Sequence, residues 1–203
     1  KEYPRLTELS SFESIAVTRV VNNNAKLYAN KAEGFVGINL KKEDNAEFVC
    51  DCSDLSEIIV IRKDGKYLVT KVSEKAFFGK DILYVGLFDR NDQRTTYNVI
   101  YREGKTSISY AKRFNVTSVT RDKEYDITQG TPGSVILWFT VNHNAEAETV
   151  KIYYRQRPKL KKLIDEYDFS QLLIKGRASR GNLVSKNSIQ KILLKSKGIS
   201  TIG

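Results

Sequence analysis

Glu57-Ile58-Ile59-Val60-Ile61-Arg62-Lys63-Asp64-Gly65-Lys66-Tyr67-Leu68-Val69-Thr70-Lys71-Val72 is the stretch that decides the fold. Two runs of β-branched and aromatic residues flank Asp64-Gly65, a dipeptide that predicts a tight two-residue hairpin whose central residues both take positive φ. Similar short runs occur at Asp81–Phe88, Tyr97–Arg102, Ser134–Val141 and Thr149–Arg155, separated by Gly, Asn and Asp. A helical period is absent over most of the chain, so the reading is all-β.

The turns recur. Asn24, Gly65 and Gly104 each precede a lysine that opens a run, at spacings of 41 and 39 residues. Arg157-Pro158 before Lys159 continues the series after a surplus, the polar stretch Arg121–Gly133, which reads as a long loop or extra hairpin. Each unit carries a second apolar run, at Gly34–Leu40, Asp81–Phe88, Gly133–Val141 and Gly181–Lys186. A period near 40 with about four strands per unit predicts propeller-like blades that bury their faces only by stacking. Four repeats are expected, with a fifth blade if Tyr3–Val21 completes the ring; a β-sandwich is the alternative.

Charge is the second signal. Of the 203 residues, 34 are Lys or Arg and 24 Asp or Glu, a net charge of +10. Residues 1–150 are balanced, whereas residues 151–203 hold 13 basic residues against 3 acidic ones, so the whole excess lies in the last quarter. A polyanionic partner is expected there. On the Thr149–Arg155 run and beyond it, alternation places Lys151, Tyr153, Arg155 and Arg157 on one face, with Lys159, Lys161 and Lys162 continuing after the Pro158 turn. Lys175, Arg177 and Arg180 follow in Lys175-Gly176-Arg177-Ala178-Ser179-Arg180-Gly181-Asn182, where small residues let the backbone approach a polyanion, and then come Lys186 and Lys191. The aromatics look scattered rather than gathered on one platform, which favours duplex backbone contact over stacking on single strands. A propeller-type module that docks an acidic protein is the rival reading.

Catalytic patterns are missing. There is no Gly-x-Ser-x-Gly elbow, no phosphate-cradling Gly-rich loop ending in Lys-Ser/Thr and no dinucleotide fingerprint. His143, the single histidine, falls in a turn-like Asn-His-Asn. Asp122, Glu124 and Asp126 alternate and would share a strand face able to hold magnesium, but Arg121 and Lys123 interleave with them, so a solvated segment is the plainer reading. Asp165, Glu166 and Asp168 read as surface. Cys50 and Cys52 are expected as small residues on one strand face, and they suit a reducing cytoplasm. No run of about 18 apolar residues marks a transmembrane helix. The chain opens on Lys1 and contains no methionine, so residues 1–203 are expected to be one domain of a longer polypeptide.

The hairpin Ile58–Val69 resembles the repeat hairpin of the C-terminal domains of gyrase and topoisomerase IV A subunits. Arg113–Asp126 and Lys175–Asn182 resemble the topoisomerase IV branch. The resemblance implies a β-pinwheel whose basic rim binds duplex DNA and positions the transport segment for a catalytic core elsewhere. It implies, too, that the cleaving tyrosine lies in the N-terminal part of a homodimeric A subunit. ATP and Mg2+ are handled by other domains, ATP by a B subunit, so this piece has no cofactor and no catalytic residue of its own. The Gln-Arg-Arg-Gly-Gly-Lys-Gly box of gyrase has no copy here. Its nearest echo, Arg177–Gly181, has Ala178 and Ser179 in place of the glycine pair, which weighs against gyrase-like wrapping.

Overall fold

The computed structural model describes residues 24–41, 45–158 and 160–202. Their strands fall into four repeats. The first has β1 (Ala25–Asn30), β2 (Phe35–Gly37) and β3 (Glu47–Cys52); the second has β4 (Glu57–Arg62), β5 (Lys66–Lys71), β6 (Ala76–Phe77) and β7 (Ile82–Phe88). The third has β8 (Thr96–Arg102), β9 (Ser109–Asn115), β10 (Tyr125–Asp126) and β11 (Val135–Asn142). The fourth has β12 (Thr149–Tyr154), β13 (Ile164–Asp168), β14 (Ile174–Gly176), β15 (Asn182–Ser185) and β16 (Ile189–Ser196).

One rule generates all four sheets. The first two strands of a repeat form a hairpin, and its last strand pairs with the first, giving β3-β1-β2, β5-β4-β7, β11-β8-β9 and β13-β12-β16. The short strand between them leaves its own repeat and pairs with the second hairpin strand of the preceding one: β6 with β2, β10 with β5, and β14 and β15 with β9. This is the strand exchange of a pinwheel. Among the described residues, β13 has no such guest.

Continuous apolar runs are explained by packing on both faces. In β4, Ile58 and Val60 pack with Leu27, Ala29, Val36 and Cys52 of the first repeat, while Ile59 and Ile61 pack with Tyr97, Val99, Tyr101 and Phe114 of the third. On β8 and β9, Ile100 and Ala111 turn the other way, toward Val150, Ile152 and Tyr154. Each fully buried Ile, Leu, Val or Phe here contributes about 1.5–3 kcal/mol. The outward face of the first sheet is different. Tyr28 and Phe48 meet edge to face at 5.8 Å, and Phe35 and Phe77 form a second pair 5.2 Å apart.

Several expectations need correction. Asn24 precedes β1 rather than joining a hairpin; the position equivalent to Gly65 is Gly34, which has φ +86° and whose N–H donates to Asn30 O. A Cβ at Gly34 would sit 2.1 Å from Gly79 O, so the turn and the incoming exchanged segment meet there without room for a side chain. The β4–β5 connection is a three-residue turn, Lys63–Gly65, in which Gly65 alone has positive φ and its N–H closes on Arg62 O; the Asp64 carboxylate accepts from Lys66 N instead of adopting the left-handed region. Arg121–Gly133 is not a surplus hairpin, because it carries the exchanged β10. Tyr3–Val21, assigned to ring completion, lies outside the described residues.

Candidate nucleic-acid interface

The cations singled out in the last quarter lie at the surface of the fourth repeat. On β12, Val150, Ile152 and Tyr154 are buried, and Lys151 and Tyr153 take the opposite, half-buried face. Lys191 of β16 stands opposite Tyr153 with its ammonium 4.8 Å from the ring centroid. The strand ends at Tyr154, so Arg155 and Arg157 lie in the following connection and the predicted alternation does not extend to them; both are exposed. Lys161 and Lys162 also lie in coil, since β13 begins only at Ile164. Lys159 lies outside the described residues. Lys186 is exposed in the turn between β15 and β16, and Lys175, exposed on β14, donates to Asn182 Oδ1 at 3.3 Å.

The acidic residues here lie at the surface, and two of them pair with lysines. Asp165 bridges Lys162 at 2.7 Å, Glu166 bridges Lys195 at 2.5 Å, and Asp168 accepts from Ser170 N at 2.8 Å. In the fourth repeat the exposed cations with neither an acid nor a ring against them include Arg155, Arg157, Lys161, Lys186 and Lys197.

Arg177 and Arg180 are placed differently from expectation. Arg177 lies 4.2 Å over the Tyr125 ring and donates to Thr117 O at 2.6 Å and Ser118 O at 3.1 Å. Arg180 lies 4.7 Å over Tyr110 and donates to its hydroxyl at 2.5 Å. Tyr110 is on β9, the host of the exchanged segment, whereas Tyr125 is on β10, itself exchanged onto β5, so the turn is fastened to its host and to the neighbouring exchanged strand. Arg180 remains exposed and Arg177 is half-buried.

A polar seam missed by sequence reasoning runs between the third and fourth repeats. Arg113, 1% exposed, donates to Asn98 Oδ1 at 3.0 Å, Ala145 O at 2.7 Å and Thr201 Oγ1 at 3.0 Å. Glu148, also buried, accepts from Asn98 Nδ2 at 3.2 Å, from Trp138 Nε1 at 3.0 Å and from the Thr140 hydroxyl. The available signal is the presence of Asn98, Lys112 and Arg113 inside strands whose neighbours are apolar on both faces.

The remaining candidates separate. Asp122 accepts from Thr70 Oγ1, Glu124 bridges Arg62 and Lys66, and Asp126 accepts from Thr128. Among the described residues, no three His, Cys, Asp or Glu side chains stand close enough to hold a metal ion. His143 is exposed in the turn after β11, with Nδ1 3.2 Å from Thr95 Oγ1. Cys50 and Cys52 are free thiols on one face of β3, and burial pushes both up. A cleft of about 540 Å³ opens between the second and third repeats, with Glu57, Arg90, Arg121 and His143 in its lining. Glu57 occupies both guanidiniums, at 2.6 Å each, so their charge is not free for an anion.

Glu57 also gives a pH prediction. Hydrogen bonds from Arg90 and then Arg121 hold its carboxyl below the usual range, against the opposing effect of burial. A depressed folded pKa supplies stability that is present above the unfolded value near 4.3 and lost as pH falls through the folded one. Glu57→Gln is thus expected to lower stability by about 1 kcal/mol at neutral pH, discounted because the arginines are half exposed. Thermal melts should show that difference shrinking as pH falls below the unfolded value.

With the geometry in place, the family comparison is decisive. The profile of the family described as topoisomerase C-terminal domain, Bacteroidota, matches residues 26–197. The chain belongs to that family. This topoisomerase C-terminal domain is 26% identical over 196 residues to the A subunit of DNA topoisomerase 4 from Borreliella burgdorferi, covering 96% of the chain and 29% of the relative. The domain therefore spans under a third of that protein's length. It is also similar to a crystal structure of the C-terminal domain of DNA topoisomerase IV, at 12% identity and a TM-score of 0.48, over 85% of this chain and 62% of the other. Among the described residues, no helix is long and apolar enough to cross a membrane.

Proposed function

We infer that residues 1–203 form one duplex-DNA-binding domain of a longer type II topoisomerase chain, the A subunit of the topoisomerase IV branch. The domain presents a DNA segment to a catalytic core that lies elsewhere in a homodimer working with an ATP-handling B subunit. The observation that carries this reading is the surface position of the cations in the fourth repeat: Arg155, Arg157, Lys161, Lys162, Lys175, Arg180, Lys186 and Lys191 are exposed, and Lys151 and Arg177 are half-buried. A charge excess facing solvent on one repeat suits backbone contact with a polyanion, which depends on charge and not on base edges. The burial of Tyr67, Tyr97 and Tyr101 in the core, with burial pushing all three phenols up, suits a part that leaves strand cleavage to another region.

The test is fluorescence anisotropy with a labelled duplex at low salt. The wild-type chain is expected to bind, and the pair Arg155→Glu and Arg157→Glu to bind about tenfold or more weakly, since each reversal removes a phosphate contact and adds repulsion. A wild-type chain that leaves the duplex free would overturn the reading. Unchanged affinity in the pair would remove this surface from it.

A further inference from the structure

The Gly176–Gly181 turn is held from below and from outside by the third repeat. Lys112 points from the middle of β9 at 2% exposure, with Nζ 2.8 Å from Arg177 O, 3.1 Å from Ser179 O and 5.1 Å from the Phe114 ring centroid. No carboxylate of the described residues pairs with it. Burial brings its pKa down to about 8, against a smaller opposing effect of the Asp126 charge. A buried ammonium is costly unless its donors are used, and here the acceptors named are two carbonyls of one turn. On the outer side, Gln129 Nε2 donates to the carbonyl between them, Ala178 O, at 2.6 Å. Three successive carbonyls of the basic turn are thus held by two side chains of another repeat.

That grip decides where the arginines stand. With Arg177 over Tyr125 and Arg180 over Tyr110, each guanidinium is fixed against a ring before any ligand arrives. A preset guanidinium loses less side-chain freedom on gripping a phosphate than a free one, which strengthens binding without adding a contact. We propose that Lys112 and Gln129 are positioning residues that hold the Gly176–Gly181 turn in a preformed phosphate-gripping pose. Lys112 acts entirely through the turn, because it is buried. The proposal rests on the DNA-binding reading above.

The experiment uses the full chain with Lys112→Met and, separately, Gln129→Ala. Two quantities are read: duplex affinity at low salt, and the Nε–Hε NMR signals of Arg177 and Arg180. Ring currents from Tyr125 and Tyr110 shift those signals while the guanidiniums stay stacked, so they report the pose and not general stability. Each variant is expected to weaken duplex binding about three- to tenfold and to move both signals toward the unstacked position. Gln129 is exposed and uncharged, so its variant decides the matter if Lys112→Met does not fold. Unchanged affinity together with unchanged Hε signals in Gln129→Ala would overturn the proposal while leaving DNA binding by the wild type intact. A wild-type chain that binds no duplex would instead bring down the DNA reading, and this proposal with it.

Discussion

Replacing Arg113 with methionine is expected to cost the domain about 3–5 kcal/mol, the usual penalty for removing one partner of a buried, charged hydrogen-bond network. Methionine fills much of the same volume, so the loss comes from what is left behind. Asn98 Oδ1 would lose its donor inside the fully buried part of the seam, and Ala145 O and Thr201 Oγ1 would each lose one of their partners. Glu148, 4% exposed, would lose its electrostatic interaction with the guanidinium. The seam also fastens the end of the described chain, since Thr201 N and Oγ1 both donate to Ala145 O. Thermal melting should fall by on the order of 10 °C for a domain of this size. A fall of less than about 1 kcal/mol in urea titration would show that the seam is not a principal fastening between the third and fourth repeats.

The regular part of this architecture is legible in the sequence because it is local. Glu57–Arg62 reads as a strand and is one, since a run of Ile and Val beside a glycine turn signals its state without reference to its neighbours. The exchange is not legible for the opposite reason. β6 and β10 are two residues long, too short for any period, and each is a strand only because a hairpin of another repeat offers it an edge. Asn24 aligns with Gly65 in sequence because Asn22-Asn23-Asn24 before a lysine has turn chemistry, yet the close approach of Gly79 selects Gly34 for the hairpin. Charge placement along the chain is readable directly, and it leads to the fourth repeat. The fate of individual cations is not, because it depends on distant partners. Tyr110 lies 70 residues before Arg180, and nothing near the arginine announces that it will stack there. Lys112 and Arg113 are adjacent, so they point to opposite faces of β9, and because that strand is covered on both sides both are buried.

The central claim, that the exposed cations of the fourth repeat bind duplex DNA through its phosphates, makes its largest prediction in salt. Each phosphate neutralised releases condensed counterions, so the logarithm of affinity falls with the logarithm of salt at a slope of about −0.9 per contact. Arg155, Arg157, Lys161 and Lys186 are exposed with no acidic partner among the described residues, and these four contacts alone contribute about −4 to the slope. That amounts to a loss of affinity of more than about a hundredfold between 50 and 200 mM salt. Reversing all four to glutamate should weaken binding at low salt by at least that much and make the slope shallower by about 4. The most direct measurement is therefore the salt titration of duplex affinity for the wild-type chain beside this four-residue variant. A steep wild-type slope that becomes much shallower in the variant is the predicted result. Equal slopes in the two proteins, or a wild-type affinity indifferent to salt, would contradict it.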